Sequence, residues 1–483
     1  MGDEATNAHV VIGHTSTLTA PYPIVNPARL SEVVGQASNA TPNVMERAIQ
    51  SAALAFPEWS TMAVRDRAEL LGHAADELEP SLEELADLLT REHGKLLAES
   101  RKDVGSGPRL LRYYAGLADR LSAPDVVEDQ RGRIVTRWRP VGVTGVIVPW
   151  NAPVLLGFLM IAPALLAGNT LVVKPSELAP LTVTRVLTIL SRCLPPGVVN
   201  VVPAVGAEAA QLLTTHGSVR RVVFTGSTAT GRMVMAQAAG TIKNLSLELG
   251  GNDPAIVLDD AVVDDALVHG LRRGVFDQAG QTCLSVKRIY VHRSRYEDFV
   301  EAFVATADEI VVGDGRKAQS TMGPVNSAGQ RSRIEGLVAA AQAEGEIHMC
   351  GRALDPEGWQ DGHFLLPMVA TGLSPTARLV TEEQFGPVVP VLAYDDLDEA
   401  VGWANATEYG LNTSVWTSDP DRAFALADRL EAGTVFVNVH RGGASDYTMP
   451  FGGVKQSGFG RTHGWRALEE ASELQVLAHR TDL

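Results

Sequence analysis

Cysteine is scarce in this chain: Cys193, Cys283 and Cys350 are three in 483 residues, far apart, with no CxxC spacing. An odd, dispersed set excludes a disulfide framework and a clustered zinc site, and a reducing, cytoplasmic compartment is the expectation. The 12 histidines are scattered too, with no HExxH and no paired His/carboxylate cluster, so no metal site is expected. Blocks of Lys and Arg are also missing. The net charge of −16 opposes phosphate backbones and anionic lipids, so neither nucleic acid nor a membrane is an expected partner. The longest uncharged run, Ala152 to Gly168, falls short of the roughly 20 residues a spanning helix needs and contains Pro153 and Pro163, so it reads as a buried helix. MGDEATNAHV at the start has neither a basic n-region nor an apolar h-region, and no secretion signal is expected.

What is present is globular: 45% hydrophobic and 20% charged residues, in a chain long enough for two or three lobes. Thr41 to Trp59, Val64 to Leu78 and Ser81 to Leu97 alternate apolar and charged positions at helical spacing, with Thr41 and Ser81 as candidate N-caps. A further helix is expected near Pro108 to Leu121. It leads into a two-faced strand, GRIVTRWRPVGV, Gly132 to Val143. From Gly142 onward short β-rich runs alternate with helices of about a dozen residues, the pattern of a parallel sheet covered on both faces. A first, Rossmann-like series runs to Gly250 and a second α/β series follows, with no repeat or low-complexity linker between them.

Within this frame, FDQAGQTCLSVKR at Phe276 to Arg288 stands out, because Cys283 is framed by small and amide residues instead of a core pattern. A thiolate attacks carbonyl carbon well, and Gly280 would let the backbone approach a substrate. Taken alone, a free cysteine is more often a small buried hydrophobe. PWNAP at Pro149 to Pro153 offers Asn151, a neutral donor of the kind a developing oxyanion needs, although an Asn here would equally turn the chain before Pro153. LELGGND at Leu247 to Asp253 puts Glu248 at the end of an apolar strand, where burial would raise its pKa toward that of a useful base. FTGSTATG at Phe224 to Gly231 is a strand-to-helix turn whose N–H groups could meet a pyrophosphate.

Together with EEQFGPV at Glu382 to Val388 and PFGGVKQSGFGR at Pro450 to Arg461, these segments resemble, in order and spacing, the NAD(P)-dependent aldehyde dehydrogenase superfamily, in its non-acylating form. The resemblance implies an aldehyde dehydrogenase-like fold. Its parts are a Rossmann-like NAD-binding domain (1–123 and 141–250), a second α/β catalytic domain (251–452) and a small oligomerisation sheet (124–140 and 453–483). In that sheet, Gly132 to Arg139 and Glu473 to Arg480 would pair across subunits of a homodimer or homotetramer. The resemblance further implies that Cys283 is the nucleophile and that Asn151 forms the oxyanion hole with the Cys283 N–H. Glu248, 35 positions before the cysteine, would be the base that hydrolyses the thioester. Gly226 and Ser227 would meet the pyrophosphate, Lys174 and Glu177 the adenosine ribose, and Glu383 and Phe385 the nicotinamide half, with Trp150 counted among the cofactor residues. Glu177 would favour NAD over NADP. Asn252 departs from the lysine that relatives often carry after the glycines.

The resemblance implies an aldehyde substrate, with Ala152, Leu155, Leu156, Leu159, Asp277, Leu284 and the loop around His440 to Tyr447 as the candidate pocket. Mostly aliphatic walls suit an apolar aldehyde. Leu159 stands where several relatives have tryptophan, which weakens a quaternary-ammonium reading. Asp277 would favour an amine and Arg441 a carboxylate. Two alternatives are a CoA-acylating semialdehyde dehydrogenase, against which Glu248 argues, and a non-catalytic protein retaining the fold, against which the joint presence of Cys283, Glu248 and Asn151 argues.

Overall fold

A computed structural model describes residues 6–440 and 446–480. Two mainly parallel sheets organise it. In the first, the strand order is Thr15–Thr17, Val10–Ile12, Val199–Val201, Thr170–Lys174, Val143–Ile147, Val219–Thr225, Asn244–Glu248 and Gly458–Phe459. The five strands from Val199–Val201 to Asn244–Glu248 are mutually parallel, and the chain reverses its direction of growth between Val143–Ile147 and Val219–Thr225. In such sheets ligands bind beyond the carboxyl ends at this switch point. The inner strands are buried almost throughout because both faces are covered. Pro153–Ala167, buried on nearly every side and ended by left-handed Gly168, lies on one face, as the uncharged run implied.

The second sheet has the order Glu346–Met349, Met368–Thr371, Val388–Tyr394, Val286–His292, Asp253–Val257, Asn412–Trp416 and Thr434–Val437, parallel except at Glu346–Met349. Its core is a separate apolar cluster around Phe299, Phe303, Ile289 and Val391. Among the described residues no helix is long and apolar enough to cross a membrane.

Several local expectations change. Thr41 and Ser81 stand at the expected helix starts, but neither side chain makes a capping bond to a described residue. The third helix stops at His93, because Gly94 turns left-handed (φ 93°), and the next one starts at Leu97 and runs through Pro108 to Ala115. Gly132–Pro140 and Ser472–Arg480 do pair antiparallel, but within one chain and not across subunits. Asp125–Asp129 completes that three-stranded sheet. Gly458–Phe459, read from sequence as part of the oligomerisation segment, instead forms the edge of the first sheet against Leu247 and Glu248. The glycines of PFGGVKQSGFGR allow this return: a Cβ on Gly458 would stand 1.9 Å from the Leu247 carbonyl oxygen.

Candidate active site

The carboxyl ends of the first sheet face the amino ends of the second, and a cavity of about 840 Å³ lies between them. Ile147 to Asn151 end and follow the strand Val143–Ile147, and Phe224 to Thr228 end and follow Val219–Thr225, so the switch point forms one wall. Gly250, Cys283, Glu383, Phe385 and Tyr409 each precede a strand of the second sheet and form the other. This cavity brings together Cys283, Asn151 and all seven candidate cofactor residues, Trp150, Lys174, Glu177, Gly226, Ser227, Glu383 and Phe385. Glu248 is outside its lining, as are Ala152, Leu155, Leu156, Leu159, Asp277 and Leu284, as far as the described residues delimit it.

The turn before Cys283 is unusual backbone. Gln278, Ala279 and Gly280 are all left-handed, at φ 57°, 53° and 70°, and each non-glycine residue there costs on the order of 1–2 kcal/mol. A Cβ on Gly280 would sit 2.3 Å from the Gly386 carbonyl oxygen, so this glycine serves close packing of the turn and not approach of a substrate. The strained turn is held from outside. The Gln278 N–H donates to Glu99 Oε1 (2.8 Å), and Gln281 accepts from the Asn326 N–H (2.9 Å). Asn151 Nδ2 donates to the Gln281 carbonyl (3.1 Å), which ties PWNAP to the turn. The Asn151 carbonyl in turn accepts from Lys95 Nζ at 2.6 Å. Lys95 is buried and paired with Asp103 at 2.9 Å, and Asp103 also accepts from the Leu155 N–H at the start of the buried helix.

Burial pushes the Cys283 thiol up to about 12, Lys287 pulls it down, and Asp253, Glu248 and Glu383 add to the rise. Burial also holds Glu248 well above the ordinary carboxylate range, with Arg461 opposing and Glu470 reinforcing the shift. The Glu248 side chain closes the strand Asn244–Glu248 at 7% exposure, and its Oε2 has no hydrogen-bond partner among the described residues. Space beside the two glycines is filled by protein. A Cβ on Gly250 would stand 2.5 Å from Glu383 Oε2, and one on Gly251 would stand 2.8 Å from the Cys283 carbonyl oxygen.

The cavity fits a dinucleotide. The helix Thr228–Ala238 points its N-terminus into it, capped by Ser227 Oγ, which accepts from the Thr230 N–H at 3.2 Å. Lys174 Nζ lies 3.4 Å from Glu177 Oε2, with the side chains 6% and 42% exposed. Burial lowers the Lys174 pKa and Glu177 pulls it back up. At the opposite end Glu383 Oε1 accepts from the Gly251 N–H at 3.0 Å. Phe385, left-handed at φ 52°, sets its ring edge-on to Trp150 at 5.6 Å. Gln330 donates to the Phe385 carbonyl at 2.7 Å, and Arg333 donates to the carbonyls of Glu383 and Gln384.

Of the candidate pocket residues, Leu155, Leu156 and Leu284 are half-buried, Ala152 is buried and Asp277 is exposed. Leu159 is 3% exposed within the apolar core. His440 Nε2 contacts the Leu284 carbonyl at 3.1 Å, whereas Arg441 lies outside the described residues.

A switch-point cavity lined by Cys283, Glu177 and Glu383 is of the kind that dinucleotide-dependent oxidoreductases use. The sequence profile of the Aldehyde dehydrogenase family matches residues 14–477. Aldehyde dehydrogenase 1A1 of Homo sapiens is 36% identical over 471 residues, covering 96% of this chain and 92% of that protein. Cytosolic aldehyde dehydrogenase 1 of Mus musculus is 35% identical over 473 residues, covering 96% and 93%. Among solved structures, betaine aldehyde dehydrogenase of Staphylococcus aureus in complex with NAD+ superposes with a TM-score of 0.92 at 34% identity, covering 97% of this chain and 94% of that one. An Escherichia coli NADP-dependent enzyme gives 0.93 at 30% identity, covering 99% of both chains. The chain belongs to the aldehyde dehydrogenase family: it is an NAD(P)-linked oxidoreductase that oxidises an aldehyde to the acid.

Proposed function

We propose that this enzyme oxidises an apolar aldehyde to the free carboxylate with NAD preferred over NADP, using Cys283, Asn151 and Glu248. The observation that carries this reading is the single cavity shared by Cys283, Asn151, Glu177 and Glu383. The Cys283 thiol gives up its proton to solvent, and the thiolate Sγ bonds the aldehyde carbon while the carbonyl electron pair moves to oxygen. Asn151 Nδ2 and the Cys283 N–H hold that oxyanion. Bound NAD supplies the acceptor for the hydride that leaves the same carbon, so a thioester remains on Cys283. Glu248 then takes a proton from water as the hydroxyl oxygen bonds the acyl carbon, and the C–S bond breaks to release the carboxylate. A base that is buried and unpartnered among the described residues is suited to this step, because its raised pKa strengthens it as a proton acceptor.

Lys174 and Glu177 hold the adenosine ribose, Gly226 and Ser227 the pyrophosphate, and Glu383, Phe385 and Trp150 the nicotinamide half. The domain division at 1–123 with 141–250, 251–452, and 124–140 with 453–483 is kept, except that Gly458–Phe459 serves the first sheet. Val126, Val127, Leu474, Val476 and Leu477 leave the small sheet with exposed apolar side chains, which supports assembly as a homodimer or homotetramer. The preference for an apolar aldehyde rests on the aliphatic side chains Leu155, Leu156 and Leu284, which are half-buried outside the cavity's lining. Absorbance growth at the NADH band with a panel of aliphatic, aromatic, amino- and carboxy-aldehydes, each with and without CoA, tests the reading. CoA-independent oxidation led by the apolar members is expected; CoA-dependent turnover, or none with any aldehyde, would overturn it.

A further inference from the structure

The nucleophile turn carries a buried cation that the reaction steps do not use. Lys287 is the second residue of the strand Val286–His292, and its side chain is 2% exposed. Its ammonium donates to the carbonyls of Cys283 at 2.6 Å, Thr282 at 3.0 Å and Ser285 at 3.4 Å. The same nitrogen lies 3.5 Å from Glu383 Oε1 and 6.0 Å from the centre of the Phe385 ring. A side chain that buries a charge in this way must satisfy it locally, and carbonyls together with a carboxylate do so here.

The geometry has a directional consequence. In a trans peptide the C=O and N–H point opposite ways, so holding the Thr282 carbonyl on Lys287 aims the Cys283 N–H away from Lys287. That N–H is the backbone member of the proposed oxyanion hole. We propose that Lys287 is a positioning residue for the nucleophile, orienting the Thr282–Cys283 peptide through its carbonyl bonds and joining the turn to the dinucleotide cavity through Glu383. This rests on the reading of Cys283 as nucleophile and Glu383 as a cofactor ligand.

The charged groups that act on the thiol are Lys287 on one side and Asp253, Glu248 and Glu383 on the other. Loss of the cation therefore raises the thiol's proton affinity, and loss of Glu383 lowers it. A lysine that only filled space in the turn would leave the thiol's proton affinity unchanged when replaced by methionine.

The test is alkylation of the cofactor-free enzyme by iodoacetamide across pH, with the labelled cysteine identified by peptide mass. Thiolate sulfur bonds the methylene carbon and iodide leaves, so the rate reports the thiolate. Lys287→Met should slow Cys283 labelling about tenfold or more at neutral pH, equivalent to a pKa rise of about one unit. Glu383→Gln should speed it, and Lys287→Arg should stay close to wild type. Thermal melts establish that each variant is folded. If Lys287→Met does not fold, the Glu383→Gln and Lys287→Arg profiles decide. A folded Lys287→Met with the wild-type profile, or a Glu383→Gln profile that does not move, overturns the role of Lys287. Label found on Cys193 or Cys350 instead would overturn the underlying reading of the nucleophile.

Discussion

Replacing Glu177 by serine should erode the proposed preference for NAD. Glu177 lies beside the cavity with its Oε2 3.4 Å from Lys174 Nζ, and its side chain is 42% exposed. A carboxylate there accepts hydrogen bonds from ribose hydroxyls but meets the 2′-phosphate of NADP as a like charge. At about 4 Å and an effective dielectric near 20, one such pair of unit charges costs about 4 kcal/mol. Exposure of the carboxylate and salt screening reduce that figure, and Lys174 offsets part of it by its own reach to the phosphate. The net expectation is about 1.4 to 3 kcal/mol, or roughly tenfold to a few hundredfold in kcat/KM in favour of NAD. The assay is initial rates with both cofactors at fixed aldehyde and fixed ionic strength. Glu177→Ser should bring the ratio toward unity, chiefly by improving NADP, and the wild-type preference should shrink as salt is raised. The fold itself does not dictate the choice, since a structure of an NADP-dependent enzyme superposes with a TM-score of 0.93. Equal use of NAD and NADP by the wild type, or a ratio untouched by Glu177→Ser, would refute the reasoning.

Cys283→Ala should reduce turnover by about 10³-fold or more while NAD affinity, measured by fluorescence titration, stays nearly unchanged. Cys193→Ala and Cys350→Ala should remain active, and a comparable loss from either would remove Cys283 from its role. Deleting residues from Ser472 onward removes the nine-residue strand that covers Gly132–Pro140. The bared edge should yield smaller particles and insoluble protein; light scattering that shows an unchanged assembly would defeat the link between this sheet and oligomerisation.

The two sheets were legible because their strands are short, β-rich and separated by helical periods, patterns that persist locally whatever the strands pack against. Val64 to Leu78 is a helix with those bounds, and the buried helix after PWNAP follows from an uncharged run carrying proline at its first position. The motifs around Cys283, Asn151, Glu177 and Glu383 named residues that the fold brings to one cavity. Lys95 and Lys287 were not legible as site residues. A lysine reads as surface, and the carbonyls that accept from these two come from turns whose path depends on tertiary packing. Gly94 was a usable signal, since a left-handed residue there ends the helix and takes Lys95 off its expected exposed face. The pairing of Gly132–Pro140 with Ser472–Arg480 was read correctly as a partnership, but periodicity cannot say whether partners share a chain.

The central claim, that Cys283 carries the acyl group and Glu248 releases it, is tested most directly by rapid mixing of Glu248→Gln with NAD and aldehyde. NADH release and the mass of the Cys283 peptide are followed together. Steady-state turnover should fall by about 10² to 10⁴, yet one equivalent of NADH per site should appear in a burst as the thioester accumulates on Cys283. In the wild type, thioester hydrolysis needs Glu248 deprotonated, so its acid limb should lie well above the ordinary carboxylate range, as burial of that group requires. A burst of NADH with an acyl adduct on the Cys283 peptide is the result the mechanism predicts; no burst, or an adduct on any other residue, would contradict it.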